Sequence, residues 1–452
     1  MINIMRIFKK TFPVLLGLLT VSAYAQQKDS GTVQSFSAKQ AVDYALINAV
    51  QVKNALLGIE SMRQTNKEIT ASALPQITGN VALTDYLSLP TSLLPAQFFG
   101  GPAGTYVPIK FGTKYNGTYS GDLQQILFDG QVFVGLQARR TSIDYASKAA
   151  EVTKEQIKAN VYKIYYQLVV GKKQINTISA NIDNFEKLLH DTKEIYKNGF
   201  AEKLDVDKVQ VQLTNLYTQR LTAQNQIDAG LEGLKFLMNL PQKDSLVLTD
   251  TLSDEEIKSN VLDENYSYED RKDFQFLGLQ SKLDQYNIKR YQLSRIPTLT
   301  FDANIAQNAQ RTTFDFFKKG EPYFTTTLIN FKLAIPLFDG GARSARIASA
   351  RIDLRKDQNN LDQLKASIDN DVAQSRINMK SAMITMDSQK KNIELAESVY
   401  NSTRLKYEQG LGSNQEINQA EADLVTAQNN YYNSIYDAII AKINYLQATG
   451  KL

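Results

Sequence analysis

The sequence predicts a mainly α-helical protein that carries a few amphipathic β-strands and is built from two structural repeats. Apolar residues keep a coiled-coil spacing over much of residues 130–199. Short motifs recur about half a chain apart, which indicates a duplicated unit. Between the helical stretches lie segments in which apolar and polar residues alternate, which is the period of a β-strand.

The stretch from Gly130 to Gly199 sets the length of the molecule. Its apolar residues follow one another at steps that average about 3.5 residues, which predicts a helix in a left-handed supercoil with its neighbours. At about 1.5 Å per residue, a helix over residues 130–198 would reach about 100 Å. We therefore expect it to form the wall of an elongated molecule. The residues of this stripe are Ile157, Val161, Ile164, Leu168, Ile175, Ile178, Ile182, Phe185 and Leu189.

The second half of the chain repeats the markers at both ends of this helix. Leu-Phe-Asp-Gly at 127–130 returns at 337–340, and Tyr-x-x-Gly at 196–199 returns at 407–410. A second long helix, over residues 340–408, is therefore expected between the same markers. Its apolar stripe is Leu354, Leu361, Leu364, Ile368 and Val372.

The first predicted repeat spans residues 26–240. Its elements are a helix over 38–73, strands over 76–89 and 110–128, the long helix over 130–198 and a helix over 204–239. Ser37 is a candidate cap for the first helix, and Pro75 ends it because the residue before a proline is disfavoured in the α region. Residues 90–109 are rich in proline and glycine and are expected to form a long loop.

The second predicted repeat spans residues 274–452 and follows an acid-rich equatorial linker segment, 241–273. Its elements are a helix over 274–295, strands over 298–310 and 323–338, the long helix over 340–408 and a helix over 414–448. Helices 38–73 and 204–239 together match the length of one long helix. We therefore expect them to lie end to end along it.

The start of the chain has the layout of a secretory signal peptide. Residues 1–25 contain three basic residues and no acid, an apolar run, and then Ala23-Tyr24-Ala25. We expect cleavage between Ala25 and Gln26. Without those three basic residues the chain has 48 basic and 47 acidic side chains, a balance that gives no reason to expect a nucleic-acid partner. It has no cysteine, and after the signal it has no apolar run of about 18 residues that would form a membrane-spanning helix.

Each of the four strands has an apolar and a polar face. In strand 110–128, aromatic and aliphatic residues such as Tyr115, Tyr119 and Leu123 share one face, opposite polar residues such as Asn116 and Asp122. This pattern fits membrane-spanning strands whose polar side lines water, and a half-buried sheet in a soluble domain is the alternative. Four strands cannot close a barrel, because open edges are not tolerated in lipid. Closure needs further copies, and the pattern alone allows two copies with eight strands or three with twelve.

Several stretches together resemble the TolC-type outer-membrane efflux protein family, also called outer membrane factors. They are Ala41-Val42-Asp43-Tyr44-Ala45-Leu46, Ala73-Leu74-Pro75-Gln76-Ile77, the two Leu-Phe-Asp-Gly junctions and the two Tyr-x-x-Gly motifs. Their order and spacing extend the resemblance from Phe36 to Gly450.

The resemblance implies a homotrimer that forms a 12-stranded β-barrel in the outer membrane of a Gram-negative bacterium and a 12-helix tunnel in the periplasm. It implies passive export of substrates, either as efflux or as type I secretion. The expected partners are sister subunits, a periplasmic adaptor (membrane fusion) protein, an inner-membrane transporter and outer-membrane lipid. The exported substrate is not identified by the sequence.

The strand-to-helix junctions have a structural interpretation. The aspartates are expected to cap the long helices, and the glycines to relieve crowding where a strand becomes a helix. The phenylalanines are candidates for an aromatic girdle on the periplasmic side of the membrane. The junction residues are Phe128, Asp129 and Gly130 in the first repeat and Phe338, Asp339 and Gly340 in the second.

The two helix tips are candidate docking sites. Gly199 and Gly410 suit the left-handed conformation that ends a helix. Phe200 and Leu411 follow them and would be exposed apolar residues available to a partner. With the tips at the periplasmic entrance of the tunnel, as the resemblance implies, these four residues would contact the adaptor.

Three further residues match the closing network of the family at the periplasmic aperture: Asp205, Tyr407 and Glu416. Glu416 also has a structural explanation, since it lies three residues after Ser413 at the spacing of a capping box. A ring of carboxylates from several copies would favour cations.

The sequence departs from the family pattern at two of the aperture positions. Gln419 stands where the family has a second carboxylate, and Gly412 stands where it has an arginine. The tip must therefore close through other contacts, for which Lys203 and Lys406 are candidates.

Enzyme chemistry has little support. The single histidine, His190, lies on a predicted helix, and no Cys/His cluster is present that would form a metal site. We therefore expect no catalytic, cofactor-binding or metal-binding residues. A periplasmic coiled-coil adaptor or structural spacer without a pore is the alternative to an export channel, and the amphipathic strands argue against it.

Overall fold

The structure is a computed structural model that describes residues 32–251, 254–258 and 265–452. The predicted signal cleavage between Ala25 and Gln26 lies outside these residues, as does part of the predicted linker 241–273. The elements in chain order are β1 (Val33–Phe36), α1 (Ala38–Asn48), α2 (Val50–Ala71), β2 (Gln76–Asp85), β3 (Thr91–Pro95), β4 (Tyr106–Lys110), β5 (Tyr115–Phe128), α3 (Gly130–Lys197), α4 (Lys203–Met238), β6 (Ser245–Leu248), α5 (Asp254–Lys258), α6 (Lys272–Leu293), β7 (Thr298–Arg311), β8 (Phe324–Ala334), α7 (Ala342–Glu408) and α8 (Asn414–Ala448).

Two long helices organise the helical part. α3 has 68 residues and α7 has 67, so each extends for about 100 Å. α2 and α4 pack against α3, whereas α6 and α8 pack against both α3 and α7. Asn66 of α2 donates to the Arg139 carbonyl near the start of α3 (2.9 Å), and Tyr217 of α4 donates to Glu186 near its end. The two shorter helices therefore contact successive parts of α3.

The coiled-coil stripe of α3 forms the core of this bundle. Seven of its nine residues are buried, and Ile164 and Ile175 are half-buried. The first part of the stripe packs with α1 and the end of α4, and the second part packs with the beginning of α4. Each fully buried aliphatic side chain contributes about 1.5 to 3 kcal/mol, so burial of the stripe stabilises the packing of α3 against α1 and α4. Among the described residues, no helix is long and apolar enough to cross a membrane.

The strands form a four-stranded antiparallel sheet with the order β2-β5-β7-β8. Every residue of the two edge strands, β2 and β8, is exposed in the single chain. Each of the four strands is joined to a helix at the same end of the sheet: α2 leads into β2, β5 into α3, α6 into β7 and β8 into α7. The loops between the strands therefore lie at the opposite end. A separate small sheet pairs β1 in parallel with β6, and the Tyr165 hydroxyl of α3 donates to the Phe36 carbonyl beside it (2.8 Å).

The single helix predicted over 38–73 is wrong, because the chain breaks it into α1 and α2 at Ala49. The ψ angle of Ala49 is 134°, far from the helical value. Asn239, at the end of α4, donates its side-chain N–H to the Asn48 carbonyl (3.2 Å) and so satisfies an acceptor that the break releases. The partner lies 191 positions away, which explains why no local signal marks the break.

The strand boundaries also differ from the prediction. The strand predicted over 110–128 begins at Tyr115, after Gly112 with a φ of 108°. The predicted loop 90–109 contains a hairpin, β3 paired with β4. The strand predicted over 323–338 ends at Ala334, two residues before Pro336, which has no backbone N–H to donate. The strand predicted over 76–89 ends at Asp85, the last residue paired with β5.

Candidate functional site

The polar face of the four-stranded sheet lines a cavity of about 820 Å³. Side chains on successive strands alternate between the two faces, and the even-numbered residues of β5, β7 and β8 point to this side. The residues that line the cavity include Thr78, Asp122, Gln124, Thr300, Asp302, Asn304, Asn330 and Lys332. The sheet therefore has a concave, polar, water-accessible face.

Asp122 is the centre of a hydrogen-bond network across three strands of this face. Its carboxylate accepts from the Asn304 amide (2.6 Å), the Asn80 amide (2.7 Å) and the Ser120 hydroxyl (2.9 Å). Charge-assisted hydrogen bonds of this kind are stronger than neutral ones. The network therefore fixes the position of a negative charge in the middle of the polar face.

The opposite face of the sheet is apolar. Its odd-numbered residues include bulky side chains that are half to three-quarters exposed in the single chain, such as Ile77, Val81, Ile305, Ile329 and Phe331. Contiguous exposed apolar surface marks contact with lipid or another protein. The sheet thus separates a polar side from an apolar side, and among the described residues neither edge strand is paired on its outer side.

The two helix tips have the same backbone structure. Gly199 and Gly410 have φ angles of 82° and 72°, in the left-handed region that favours glycine. The N–H of Phe200 donates to the Ile195 carbonyl (3.0 Å), and the N–H of Leu411 donates to the Lys406 carbonyl (2.9 Å). Both tips are therefore Schellman motifs. Phe200 and Leu411 are 86% and 78% exposed.

Asp205 and Glu416 occupy equivalent positions just after these tips. The Asp205 carboxylate accepts from the Glu202 N–H (3.2 Å), and the Glu416 carboxylate accepts from the Ser413 N–H (3.3 Å). Both acids are the third helical residue of a capping box. Each therefore bonds within its own hairpin and stabilises the start of α4 or α8.

Tyr407 lies in the last turn of α7, and its side chain faces α3 of the other helical hairpin. Its hydroxyl is 3.5 Å from that of Thr192, which is fully buried in α3. Within the part of the chain that the structure describes, neither Asp205 nor Glu416 is bonded to Tyr407. The three predicted aperture residues are therefore not assembled into one network in a single chain.

The positions that depart from the family pattern have local explanations. A side chain on Gly412 would lie 3.1 Å from the Tyr407 backbone nitrogen, so the turn leaves little room there. Gln419 donates to Asp423 on the same helix (2.9 Å). A cross-hairpin contact is made instead by Lys208, whose ammonium donates to the Gln415 side chain (3.3 Å).

Glu421 is a buried acid that the sequence reasoning missed. It is 3% exposed, and its Oε2 atom has no hydrogen-bond partner among the residues that the structure describes. Burial raises its pKa to about 8, although hydrogen bonding to Tyr400 and the charge of Arg404 oppose the rise. One sequence pattern does point to its burial. Asn414, Asn418 and Glu421 are spaced by four and three residues, so they form a polar stripe on a side of α8 that is otherwise apolar.

The strand-to-helix junctions differ between the repeats. Asp129 accepts from the Gln131 N–H (2.8 Å) and caps α3, and a side chain on Gly130 would lie 2.9 Å from Leu293. Asp339 accepts from the Arg343 N–H (2.9 Å), but α7 starts only at Ala342. The helix predicted from residue 340 is therefore two residues too long at its start, because Gly340 and Gly341 both have positive φ angles.

The junction phenylalanines also differ in exposure. Phe128 packs against Phe133 with ring centroids 5.6 Å apart. Phe338 is 90% exposed. In the described residues, no group of three or more His, Cys, Asp or Glu side chains is arranged to hold a metal ion.

Comparisons with known proteins give a consistent family of relatives. The sequence model of the outer membrane efflux protein family matches residues 269–451. The chain is 20% identical over 338 residues to the proteases secretion protein PrtF of Dickeya chrysanthemi, covering 72% of this chain and 69% of that protein. It is 20% identical over 342 residues to the outer membrane protein TolC of Vibrio cholerae, covering 73% and 76%. The crystal structure of CusC, a protein that forms a transmembrane channel, has a TM-score of 0.76 at 15% identity and covers 95% of each chain.

Proposed function

Because the chain belongs to the TolC-type outer-membrane efflux protein family, we propose that it is the outer-membrane exit duct of a tripartite efflux or type I secretion system. It is not an enzyme. It lies in the outer membrane of a Gram-negative bacterium, with most of its mass in the periplasm. The observation that carries the proposal is the amphipathic sheet, whose two edges are unpaired in the part of the chain that the structure describes. At one end this sheet is joined to helices about 100 Å long.

The open sheet is suited to closure by sister subunits. β2 and β8 run in opposite directions, because three antiparallel pairings separate them. β2 of one copy can therefore pair with β8 of the next in the same antiparallel sense all around a ring. Three copies would close a 12-stranded barrel with the Asp122 face inside and the Phe331 face toward lipid. The same three copies would arrange their helices as a 12-helix tunnel.

The helix tips are the proposed docking end for a periplasmic adaptor and, with it, an inner-membrane transporter. Gly199 and Gly410 hold the chain in turns that leave Phe200 and Leu411 exposed. In water such apolar groups are available for burial against a partner. The tips lie at the far end of the helices from the sheet, so they would enter the periplasm.

Asp205, Tyr407 and Glu416 are the proposed aperture residues. In a ring of three copies, the acids that follow each tip would supply a belt of negative charge at the entrance. Such a belt favours cations. Because each acid also completes a capping box, its removal would loosen the tip as well as change its charge.

The proposal is tested with the purified protein in detergent and in planar lipid bilayers. We expect a particle containing three chains and an ion conductance that prefers cations. In Glu416→Gln, which keeps a side chain able to accept the Ser413 hydrogen bond, we expect reduced cation preference with unchanged thermal stability. Asp144→Asn, in the part of α3 near the sheet, is the matched control.

A single chain in detergent that never conducts in a bilayer would contradict the duct. A trimer that conducts but whose ion preference is unaffected by Glu416→Gln would contradict only the aperture role.

A further inference from the structure

The loop between β7 and β8 folds back over the outside of the sheet. We call residues 312–322 the aromatic strap, since they contain Phe314, Phe316 and Phe317. Phe316 is only 5% exposed. Its ring lies directly over Gly117, where a side-chain Cβ would be 2.7 Å from the ring.

The strap lies on the apolar face and not over the polar cavity. Gly117 pairs with Ala309 in the sheet, and both belong to the odd-numbered, apolar side. Ala309 is 1% exposed, although most residues on that face are open to solvent. The strap therefore covers the apolar face at the end of the sheet opposite the helices.

Arg311 holds the strap in place. Its guanidinium donates to the Pro322 carbonyl (2.5 Å), and its Nε lies 3.2 Å from a carboxylate oxygen of Asp315. It also lies over the ring of Tyr323, 5.6 Å from the centroid. The Tyr323 hydroxyl donates to the Phe316 carbonyl (2.8 Å). These contacts join residues at both ends of the loop to Arg311 and Tyr323, so the strap has a defined conformation.

The strap leaves two aromatic rings uncovered. Phe314 and Phe317 are 54% and 84% exposed, and Phe314 packs on Tyr115 with ring centroids 5.7 Å apart. They extend the apolar face of the strands at its far end. Aromatic side chains gather where a membrane barrel passes from hydrocarbon to headgroups.

We infer that the aromatic strap is a lipid anchor, which places Phe317 among the outer-leaflet lipids and fixes the depth of the barrel. The inference rests on the proposed function, because it takes the apolar face to be the lipid side. A strap that served as a plug would instead lie over the polar face beside Asp122. Here the direction of Phe316 relative to Gly117 excludes that arrangement.

The chain has no tryptophan, so a single substitution to Trp gives one fluorescent reporter. Three matched variants are reconstituted as the full chain into phosphatidylcholine vesicles: Phe317→Trp in the strap, Ile329→Trp near the middle of the lipid face, and Phe200→Trp at a helix tip. Emission is quenched either by brominated lipids, with bromine near the headgroup or deep in the acyl chain, or by acrylamide in water.

We expect Trp fluorescence at 317 to be lost mainly with lipids brominated near the headgroup, and at 329 mainly with deeply brominated lipids. The reporter at 200 should respond only to acrylamide. If 329 is quenched by lipid while 317 responds only to acrylamide, the anchor is overturned and the channel stands. If 329 also fails to respond to any brominated lipid, the apolar face is not in the bilayer and both proposals fail.

Discussion

Replacing Glu421 by glutamine should change how the stability of the protein depends on pH. Burial raises the pKa of this carboxyl group from its ordinary value of 4.5 to about 8. The folded chain therefore binds the proton more tightly than the unfolded chain does. Stability falls as the pH rises from 4.5 toward 8, and it is constant above that range with respect to this group.

The size of the effect follows from the same two pKa values. A rise from 4.5 to about 8 corresponds to an upper bound of about 5 kcal/mol per chain. Most of this change occurs below neutral pH, and the linkage relation leaves about 1 kcal/mol between pH 7 and pH 9. Glutamine at position 421 cannot ionise and lacks this component.

The assay compares guanidinium unfolding of wild type and Glu421→Gln in detergent, followed by helical circular dichroism at pH 7 and pH 9 and at one protein concentration. Wild type should lose about 1 kcal/mol more per chain than the variant does over this interval. Glu416→Gln is the control, because that acid lies on the exposed side of the same helix. Equal losses in wild type and Glu421→Gln would refute the reasoning, since Glu421 would then ionise at no cost.

Three further predictions concern the turns, the strap and a second acid. Gly199→Ala should lower the free energy of unfolding by about 1 kcal/mol because Gly199 has a positive φ, whereas Gly233→Ala, on a helix with open space around it, should not. Thermal unfolding compares the two variants, and equal stabilities would contradict the turn assigned to Gly199. Gly117→Ala should displace Phe316 and expose the strap to proteolysis, whereas in Gly121→Ala the new methyl group would lie 3.6 Å from Ile305 and the strap should stay protected. Equal cleavage of the two variants would show that the strap does not depend on the contact between Phe316 and Gly117. Burial and the neighbouring Asp357 raise the pKa of Asp284 to about 6, so the stability of the protein falls as the pH rises from the ordinary pKa of an aspartate toward 6. Asp284→Asn should therefore raise the melting temperature at pH 7.5 more than at pH 4, and an equal change at both pH values would mean that Asp284 ionises normally.

The regular part of the fold is readable because its signals are local and periodic. The stripe from Ile157 to Leu189 repeats the spacing that packs one helix on another, and seven of its nine residues are buried in the structure. The capping of α8 by Ser413 and Glu416 was likewise visible as residues three positions apart. In these cases neighbours along the chain supply the deciding interaction.

The missed features depend on residues that are distant in the chain. The break at Ala49 is satisfied by Asn239, and the strap depends on how Phe316 meets Gly117 on another strand. Glu421 looks like an ordinary helical acid until α7 covers it with Tyr400 and Arg404. Sequence patterns reflect interactions within one helix or strand. Each of these three features depends on a contact between two different elements.

A test of the two acids at the tips must remove their charge and keep their hydrogen bond to the backbone. Asp205 and Glu416 are both capping residues, so truncation to alanine would remove a charge and also free a backbone N–H, at a cost of about 1 kcal/mol. A change in conductance after truncation could then come from a loosened tip and would say nothing about charge. Amide substitutions separate the two effects, because an amide oxygen can still accept the N–H while the charge is lost. An aperture that depends on charge should change its ion preference in the amide variants, and one that depends on rigidity should change only in the alanine variants.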